Sequence, residues 1–213
     1  MLTSDKKIYS VVCGVGINDS NYITTKYETI NGKRKRVWVC PYYARWKTII
    51  ERCYSNNNPR NVTYNKCIVC DEWLTFSNFR EWMIGLDWVG KHIDKDILKF
   101  DNNVYCPAYC VFVDPLVNTI ITDNLSQPNG YMLGVAYNTK TGRYESRCRN
   151  PFSKKQERLG SYDTELEAHE VWRKKKIQHI RQIKDRMPSI VFQSLLNRYK
   201  KGSEYDILSI QPN

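Results

Sequence analysis

The chain has 213 residues, of which 41% are hydrophobic and 13% aromatic, enough for one large or two small packed domains, so a disordered chain is excluded. Its 33 Lys and Arg against 22 Asp and Glu leave a net charge of +11, which favours a nucleic acid as partner. No apolar run approaches the roughly 20 residues that span a bilayer, and the N-terminus is a poor signal peptide, so we expect no membrane association and a cytoplasmic location.

The first 40 residues have the composition of β-structure. Val, Ile and Tyr are frequent in residues 7–17, Asn31-Gly32 is a hairpin signal, and residues 37–39 form an apolar strand. Residues 33–36 are a basic cluster at this hairpin, which is either a solvated loop or a phosphate contact.

Helical periodicity follows. Apolar residues recur at helical spacing from Tyr42 to Cys53, which predicts an amphipathic helix. A second helix is predicted over residues 75–83, after a short turn or strand at residues 66–69. We take the aromatic residues of this helix as core rather than as a base-stacking surface.

Four of the eight cysteines form two closely spaced pairs. In a reducing compartment such cysteines are free core thiols or metal ligands rather than disulfides. Two short-spaced pairs suit a Cys₄ zinc site, although a cysteine on a strand also serves as a small hydrophobic residue. The candidate zinc ligands are Cys67, Cys70, Cys106 and Cys110.

Residues 91–118 gather acidic, amide and cysteine side chains between apolar runs. Residues 88–98 and 104–113 are predicted strands, and residues 101–103 are a predicted turn between them. Pro115 suits the first turn of a short helix. The expected order of strand, turn, strand and helix is a ββα unit.

The first strand of this unit carries candidate site residues. Side chains two apart on a strand share a face, so His92, Asp94 and Asp96 are expected to point the same way. A carboxylate, a nearby imidazole and the amide of Asn118 form a donor set for a hard cation such as Mg²⁺, which keeps several waters. A solvated strand face beside a turn is the alternative.

The segment Asp94-Lys95-Asp96, the run from Tyr105 to Val113, and Asn118 resemble the HNH (ββα-metal) endonucleases found as free-standing genes in bacteriophages. The similarity extends from about residue 42 to residue 185. The resemblance implies an endonuclease of the homing type in an infected bacterial host, with Asp94 and Asn118 as ligands of Mg²⁺ or Mn²⁺.

Two positions depart from that family's pattern. The family's general base is a histidine where this chain has Lys95, and the asparagine that orients the base falls on Tyr109. His92 is our hypothesis for a substitute base, because an imidazole that titrates near neutrality suits proton abstraction from water. Loss of catalytic activity is the alternative.

The composition changes after a polar stretch at residues 119–130, which reads as an interdomain linker. Residues 129–187 contain 14 Lys and Arg and 7 Asp and Glu, a net charge of +7. Thr164 and Glu167 form a capping box, which predicts a helix that ends near residue 185. A last helix is predicted over residues 189–200. Three short strands are predicted before these helices, at residues 133–138, 143–149 and 157–162.

Alternation along the second of these strands places Arg143, Glu145, Arg147 and Arg149 on one exposed face, where arginines can reach phosphates and guanine edges. A three-stranded sheet backed by one helix, with the segments GVAYNTKTGRYESRCR and RLGSYDTELEA, resembles the Apetala-type (ethylene-response-factor) DNA-binding domain. That family lays its sheet in the major groove. The resemblance implies DNA contacts at Asn138, Arg143, Arg147, Arg149, Gln156 and Arg158. An ordinary sheet with a solvated basic face is the alternative.

The sequence therefore predicts an α+β protein in three parts. Residues 1–125 are an HNH-like (ββα-metal) nuclease domain with an N-terminal β extension, residues 130–187 an Apetala-type domain with a three-stranded antiparallel sheet and one packed helix, and residues 188–213 a helix and tail. The expected function is a metal-dependent, site-directed endonuclease of double-stranded DNA. The alternatives are a nuclease relic that binds DNA as a repressor or accessory factor, and a binder of RNA or ribosomes.

Overall fold

The computed structural model describes residues 9–55, 64, 66–121 and 130–210. The fold over these residues is mixed α and β, with small sheets, as expected. Two compact units divide the chain. The first unit comprises Met1–Asp87 and Asn102–Cys110, and the second comprises Trp88–Asp101 and Val111–Asn213.

Strands and helices are numbered in chain order. The strands are β1 (Ser10–Val12), β2 (Gly16–Asn18), β3 (Thr25–Ile30), β4 (Lys33–Val39), β5 (Ile68–Val69), β6 (His92–Asp94), β7 (Val104–Tyr105), β8 (Val111–Val113), β9 (Val135–Asn138), β10 (Arg143–Arg149) and β11 (Gln156–Tyr162). The α-helices are α1 (Pro41–Tyr54), α2 (Phe76–Met83), α3 (Pro115–Ile120), α4 (Glu165–Gln182), α5 (Ser189–Arg198) and α6 (Glu204–Ile210).

Two β-hairpins open the first unit. Strands β1 and β2 pair in antiparallel register, so the β-structure predicted over residues 7–17 is a hairpin that turns at Cys13 and Gly14, both with positive φ. Strands β3 and β4 pair through the predicted Asn31-Gly32 turn, which is confirmed. The φ values of 51° and 72° at these two residues suit a two-residue type I′ turn.

Aromatic packing between α1 and α2 forms the core of the first unit. The indole Nε1 of Trp46 donates a hydrogen bond to the carbonyl oxygen of Trp73 at 2.7 Å. Phe79 packs edge-on against Trp73, with ring centroids 4.9 Å apart. Phe76 and Met83 are also buried, so the prediction that the aromatic residues of this helix are core is confirmed.

The predicted strand over residues 104–113 is interrupted. Its first part, β7, pairs in parallel with β5 in the first unit, and its second part, β8, lies in the second unit. The chain turns between them, because the amide of Cys110 donates to the carbonyl of Cys106 and Pro107 has no N–H to continue a strand ladder.

The strand predicted over residues 88–98 is reduced to β6, which pairs antiparallel with β8. It ends because Asp94 Oδ1 accepts hydrogen bonds from the amides of Asp96 and Ile97, each at 2.8 Å, so those amides leave the ladder. Helix α3 follows β8 directly, with Asp114 as N-cap and Pro115 in its first turn, and α3 packs against β6. Two strands and a helix of the predicted unit, β6, β8 and α3, are therefore adjacent, but the single second strand predicted over residues 104–113 is absent, because β7 pairs with β5 instead.

The second unit also contains the predicted three-stranded antiparallel sheet, in the order β11-β10-β9. Strand β10 has the bounds predicted for it, whereas β9 begins two residues later and β11 one residue earlier than predicted. Helix α4 packs on this sheet, and its capping box of Thr164 and Glu167 is confirmed by both hydrogen bonds.

The helix of the ββα segment and α4 share one core. The ammonium group of Lys176 on α4 donates to the carbonyl oxygen of Ile120 at 2.6 Å, and the hydroxyl of Tyr199 donates to the same oxygen at 3.2 Å. Both donors satisfy a carbonyl at the C-terminus of α3 that has no partner within the helix. Val117, on the inner side of α3, belongs to the same buried apolar cluster as α4 and α5.

For this reason the compact units differ from the predicted domains 1–125, 130–187 and 188–213. The predicted ββα unit is divided, because residues 102–110 belong to the first unit whereas β6, β8 and α3 belong to the second. Helix α5 is confirmed, and α6 was missed. Residues 122–129, the centre of the predicted linker, lie outside the described residues. No helix within the described ranges is long and apolar enough to span a membrane.

Candidate functional site

One face of the β9–β11 sheet carries all six residues predicted to contact DNA. Cross-strand register pairs Arg143 with Asn138, Arg147 with Arg158, and Arg149 with Gln156. Paired residues of an antiparallel sheet project to the same side, so the six side chains share one face. We call this set the basic face: Asn138, Arg143, Arg147, Arg149, Gln156 and Arg158.

A bulge aligns the two halves of this face. The register between β10 and β11 shifts between Ser146 and Arg147, so that one extra residue, Leu159, stands in β11. Without that shift Arg158 would project to the opposite side from Arg147, since side chains alternate along a strand. The guanidinium of Arg158 also donates to the hydroxyl of Ser161 at 2.8 Å, which places both on the same side.

The middle of the basic face contains a carboxylate that sequence reasoning placed in solvent. Glu145 is only 4% exposed, because its oxygens accept hydrogen bonds from Arg147 at 2.6 Å and Asn138 at 2.8 Å and lie 3.1 Å from Arg158. Hydrogen bonds from Asn138 and Arg147 lower the pKa of Glu145. The expectation of a solvated Glu145 is therefore wrong.

This carboxylate holds two arginines of the basic face in place. The side chains of Arg147 and Arg158 remain 48% and 61% exposed while each bonds to Glu145. A guanidinium has five N–H donors, so donors remain for a ligand in solvent. The amide of Asn138 is more fully engaged, because it donates to Glu145 and accepts from the backbone of Lys140.

The inner side of the sheet supports this arrangement. Ser146 and Cys148 on β10 are buried toward α4, which agrees with the predicted alternation. Gly134, just before β9, has a φ of 78°, and a Cβ built there would lie 2.1 Å from the ring of Trp172 on α4. The start of β9 therefore approaches α4 as closely as only glycine permits.

Asp94 is the central residue of the candidate catalytic site. It is the last residue of β6, and Oδ1 is the acceptor of the two backbone amides that end the strand. Burial raises the pKa of Asp94, and the N–H bonds from Asp96 and Ile97 offset this effect in part. A cation beside Asp94 would offset this cost of ionisation.

His92 lies on the same strand as Asp94, and Asn118 lies on the helix that packs against that strand. The imidazole of His92 is exposed and lies two residues before Asp94 on the same strand, hence on the same side. Asn118 is half-buried on α3, the helix that packs against β6. Asp96 does not share this face as predicted, because the chain has already left the strand, and its carboxylate pairs with Lys95 at 2.7 Å.

One carboxylate and one amide oxygen fit a magnesium ion that keeps most of its waters. A carboxylate has about four acceptor positions, and the two amide donors both use Oδ1 of Asp94. The carboxylate of Asp94 and the amide oxygen of Asn118 are therefore ligand types that suit Mg²⁺ or Mn²⁺. Lys95 and Tyr109 stand at the family's base and base-orienting positions, and neither side chain has a carboxylate or amide oxygen.

The four candidate zinc cysteines belong to the first unit. The parallel pairing of β5 and β7 places Cys70 beside Cys106, and the amide of Cys70 donates to the carbonyl of Tyr105, next to Cys106, at 3.0 Å. Cys67 and Cys110 are buried. Within the described residues no three His, Cys, Asp or Glu side chains form a group that could hold a metal ion. A Cys₄ zinc site stays a prediction.

Sequence reasoning missed Arg198. This buried side chain on α5 donates to the backbone carbonyl of Asp96 and stacks over Phe100 at 5.4 Å, so it supports the loop that follows Asp94. Arg198 and Asp96 are 102 positions apart, and no local pattern signals a contact over that distance.

The chain matches no family model, no curated protein and no solved structure.

Proposed function

We propose that this protein is a site-directed, metal-dependent endonuclease of double-stranded DNA of the phage homing type. The basic face selects the site, and Asp94 and Asn118 hold the metal for phosphodiester hydrolysis. The single observation that carries the proposal is the register of β9–β11, which gathers the six predicted contact residues on one face. Resemblance to the HNH and Apetala-type families is the second support.

The dimensions of the sheet suit the major groove. Neighbouring strands lie about 4.8 Å apart, so three strands span about 10 Å, close to the groove width of about 12 Å. Arginines such as Arg147 and Arg158 form bidentate pairs with guanine, and glutamine and asparagine form them with adenine. Because Glu145 fixes the directions of both arginines, less side-chain entropy is lost when they bind.

The proposed hydrolysis uses residues near the end of β6. Asp94 and Asn118 would hold a divalent metal, which would supply positive charge at the scissile phosphate and at the leaving oxygen as its P–O bond breaks. His92 takes the proton from the attacking water, since its imidazole is exposed beside Asp94. Arg198 is a positioning residue, because it bonds to the carbonyl of Asp96, whose amide in turn bonds to Asp94.

A nuclease relic that binds DNA without cutting it is the second candidate. The observation that favours it is that Oδ1 of Asp94 already accepts two backbone N–H bonds. Lys95 and Tyr109 also favour the relic, because they stand where the HNH family has its general base and the asparagine that orients it. Both candidates use the basic face, so binding and cleavage must be measured separately.

The binding part is tested with purified full-length protein on a mixed-sequence DNA duplex at several salt concentrations. Arg143→Ala with Arg147→Ala should lower affinity and flatten the slope of log affinity against log salt by about 0.9 for each phosphate that is no longer neutralised. The matched control is Lys174→Ala with Arg181→Ala, which removes the same charge from exposed positions of α4. Equal effects of the two variants would contradict the assignment of the basic face, and stronger binding to an RNA duplex would favour the RNA-directed alternative.

A further inference from the structure

The hairpin of β3 and β4, which belongs to the first unit, is largely exposed to solvent. Every residue from 26 to 38 is exposed, on both faces of the ribbon. Its base is fixed where the amide of Cys40 donates to the carbonyl of Thr24 at 2.8 Å and both residues are buried. Tyr27 and Arg36, near the base, line a cavity together with residues of α1. Two-stranded ribbons are marginally stable in water, so an exposed ribbon needs further interactions that stabilise it.

Side-chain stacking keeps the ribbon ordered. The guanidinium of Arg34 lies 4.3 Å from the ring centre of Tyr27, and the ammonium of Lys26 lies 5.6 Å from the ring of Trp38, its cross-strand partner. Cation–π contacts of this kind contribute about 0.5–1 kcal/mol each at exposed sites. The Asn31-Gly32 turn adds a backbone geometry that matches the strand twist.

The ribbon concentrates positive charge. Residues 26–38 contain five basic side chains and one acidic side chain, a net charge of +4 out of +11 for the chain. Where the structure describes the chain, none of the five forms an ion pair with a carboxylate. The five are Lys26, Lys33, Arg34, Lys35 and Arg36.

These charges occupy both faces of the ribbon. The register pairs Arg36 with Tyr27 and Arg34 with Thr29 on one face, and Lys35 with Glu28 on the other. A flat anionic surface would meet only one face. A groove with phosphates on both walls meets both faces, and the major groove of B-form DNA admits a two-stranded β-ribbon. The major groove of A-form RNA is too narrow for side chains to enter.

We propose that the β3–β4 hairpin is a second DNA-binding element, an arm that enters the major groove of duplex DNA with its tip basic residues on the phosphates. This inference rests on the proposed function, because it assumes duplex DNA as the partner. It adds a DNA-binding segment in the first unit to the basic face of the second unit.

The test compares two variants of the full-length protein from which the same charge is removed. The hairpin variant carries Lys33→Ala, Arg34→Ala, Lys35→Ala and Arg36→Ala, and the control carries Lys174→Ala, Arg181→Ala, Lys184→Ala and Lys200→Ala. All eight side chains are exposed, and circular dichroism verifies the overall fold. A second hairpin variant with Lys33→Ala, Lys35→Ala and Arg36→Ala keeps the contact of Arg34 with Tyr27, and it should also bind duplex DNA more weakly than the control. Affinity for a DNA duplex, an RNA duplex and single-stranded DNA is measured over a range of salt.

The affinity of the hairpin variant for duplex DNA should be lower than that of wild type by a factor of about ten or more. Its slope of log affinity against log salt should be flatter by about 0.9 for each phosphate that the alanines leave without a cation. The control should change the slope by less than about 0.9, the value for a single phosphate. Two results would overturn the assignment of the hairpin as a duplex-DNA-binding arm. One is an equal change in both variants, and the other is a larger fall in affinity for single-stranded DNA or RNA than for duplex DNA. If only the variant of Arg143 and Arg147 binds more weakly, the proposal of a hairpin arm is refuted and the proposed function is retained. If the wild-type protein has no affinity for duplex DNA, both proposals are refuted.

Discussion

Replacement of Gly134 by alanine measures how closely β9 approaches α4 beneath the basic face. Gly134 has a φ of 78°, and the new Cβ would lie 2.1 Å from Cγ of Trp172. A left-handed backbone costs a residue with a Cβ about 1–2 kcal/mol. Displacement of the buried Trp172 ring is an overpacking change that costs about 1–3 kcal/mol more. The free energy of unfolding should therefore fall by about 2–5 kcal/mol.

Gly142→Ala is the matched control. Gly142 has a φ of 65°, but a Cβ there would meet nothing nearer than the hydroxyl of Tyr137 at 3.8 Å. Only the backbone cost of about 1–2 kcal/mol applies. Urea unfolding, followed by tryptophan fluorescence, gives both values, and an unchanged m value would show that the denatured state is the same. Equal destabilisation of the two variants would refute the close approach of Gly134 to Trp172.

Two further predictions concern carboxylates and pH. Burial raises the pKa of Asp94, so its ionisation costs stability once the pH exceeds the unfolded pKa of about 3.9. Without divalent metal, the stability of Asp94→Asn relative to wild type should therefore rise as the pH increases through the folded pKa of Asp94, and a difference that stays constant or falls with pH would contradict the buried carboxylate. Hydrogen bonds lower the pKa of Glu145, so Glu145→Gln should be less stable than wild type at pH 7. The difference in the free energy of unfolding, measured with urea, should shrink as the pH falls through the folded pKa of Glu145. A difference that does not depend on pH would contradict its origin in the ion pairs.

Local patterns predicted the elements of the sheet domain. Alternation over Arg143–Arg149, the glycine turn before it and the capping box of Thr164 and Glu167 each depend on residues within a few positions of one another. The basic face followed from the same alternation. Its bulge at Leu159 and the burial of Glu145 did not, because both depend on how two further strands align with β10.

Pairings between distant parts of the chain could not be predicted from the sequence. The parallel pairing of β5 with β7 joins Ile68 to Val104, and it removes residues 104–105 from the predicted long strand. The bond from Lys176 to the carbonyl of Ile120 joins α4 to α3, which belongs to the second unit. Neither pairing has a period or a turn signal that a window of neighbouring residues contains.

Cleavage of duplex DNA tests the central proposal most directly. Wild-type protein, His92→Ala and Asp94→Ala are incubated with bacterial and bacteriophage DNA and Mg²⁺ or Mn²⁺, and the products are separated on denaturing gels. Wild type should cut and should stop cutting when the metal is chelated, His92→Ala should cut about 10² to 10⁴ times more slowly with DNA binding retained, and Asp94→Ala should not cut. Tight DNA binding by wild type without any cleavage would contradict the nuclease proposal and favour the relic, and cleavage by Asp94→Ala at the wild-type rate would remove Asp94 from the site.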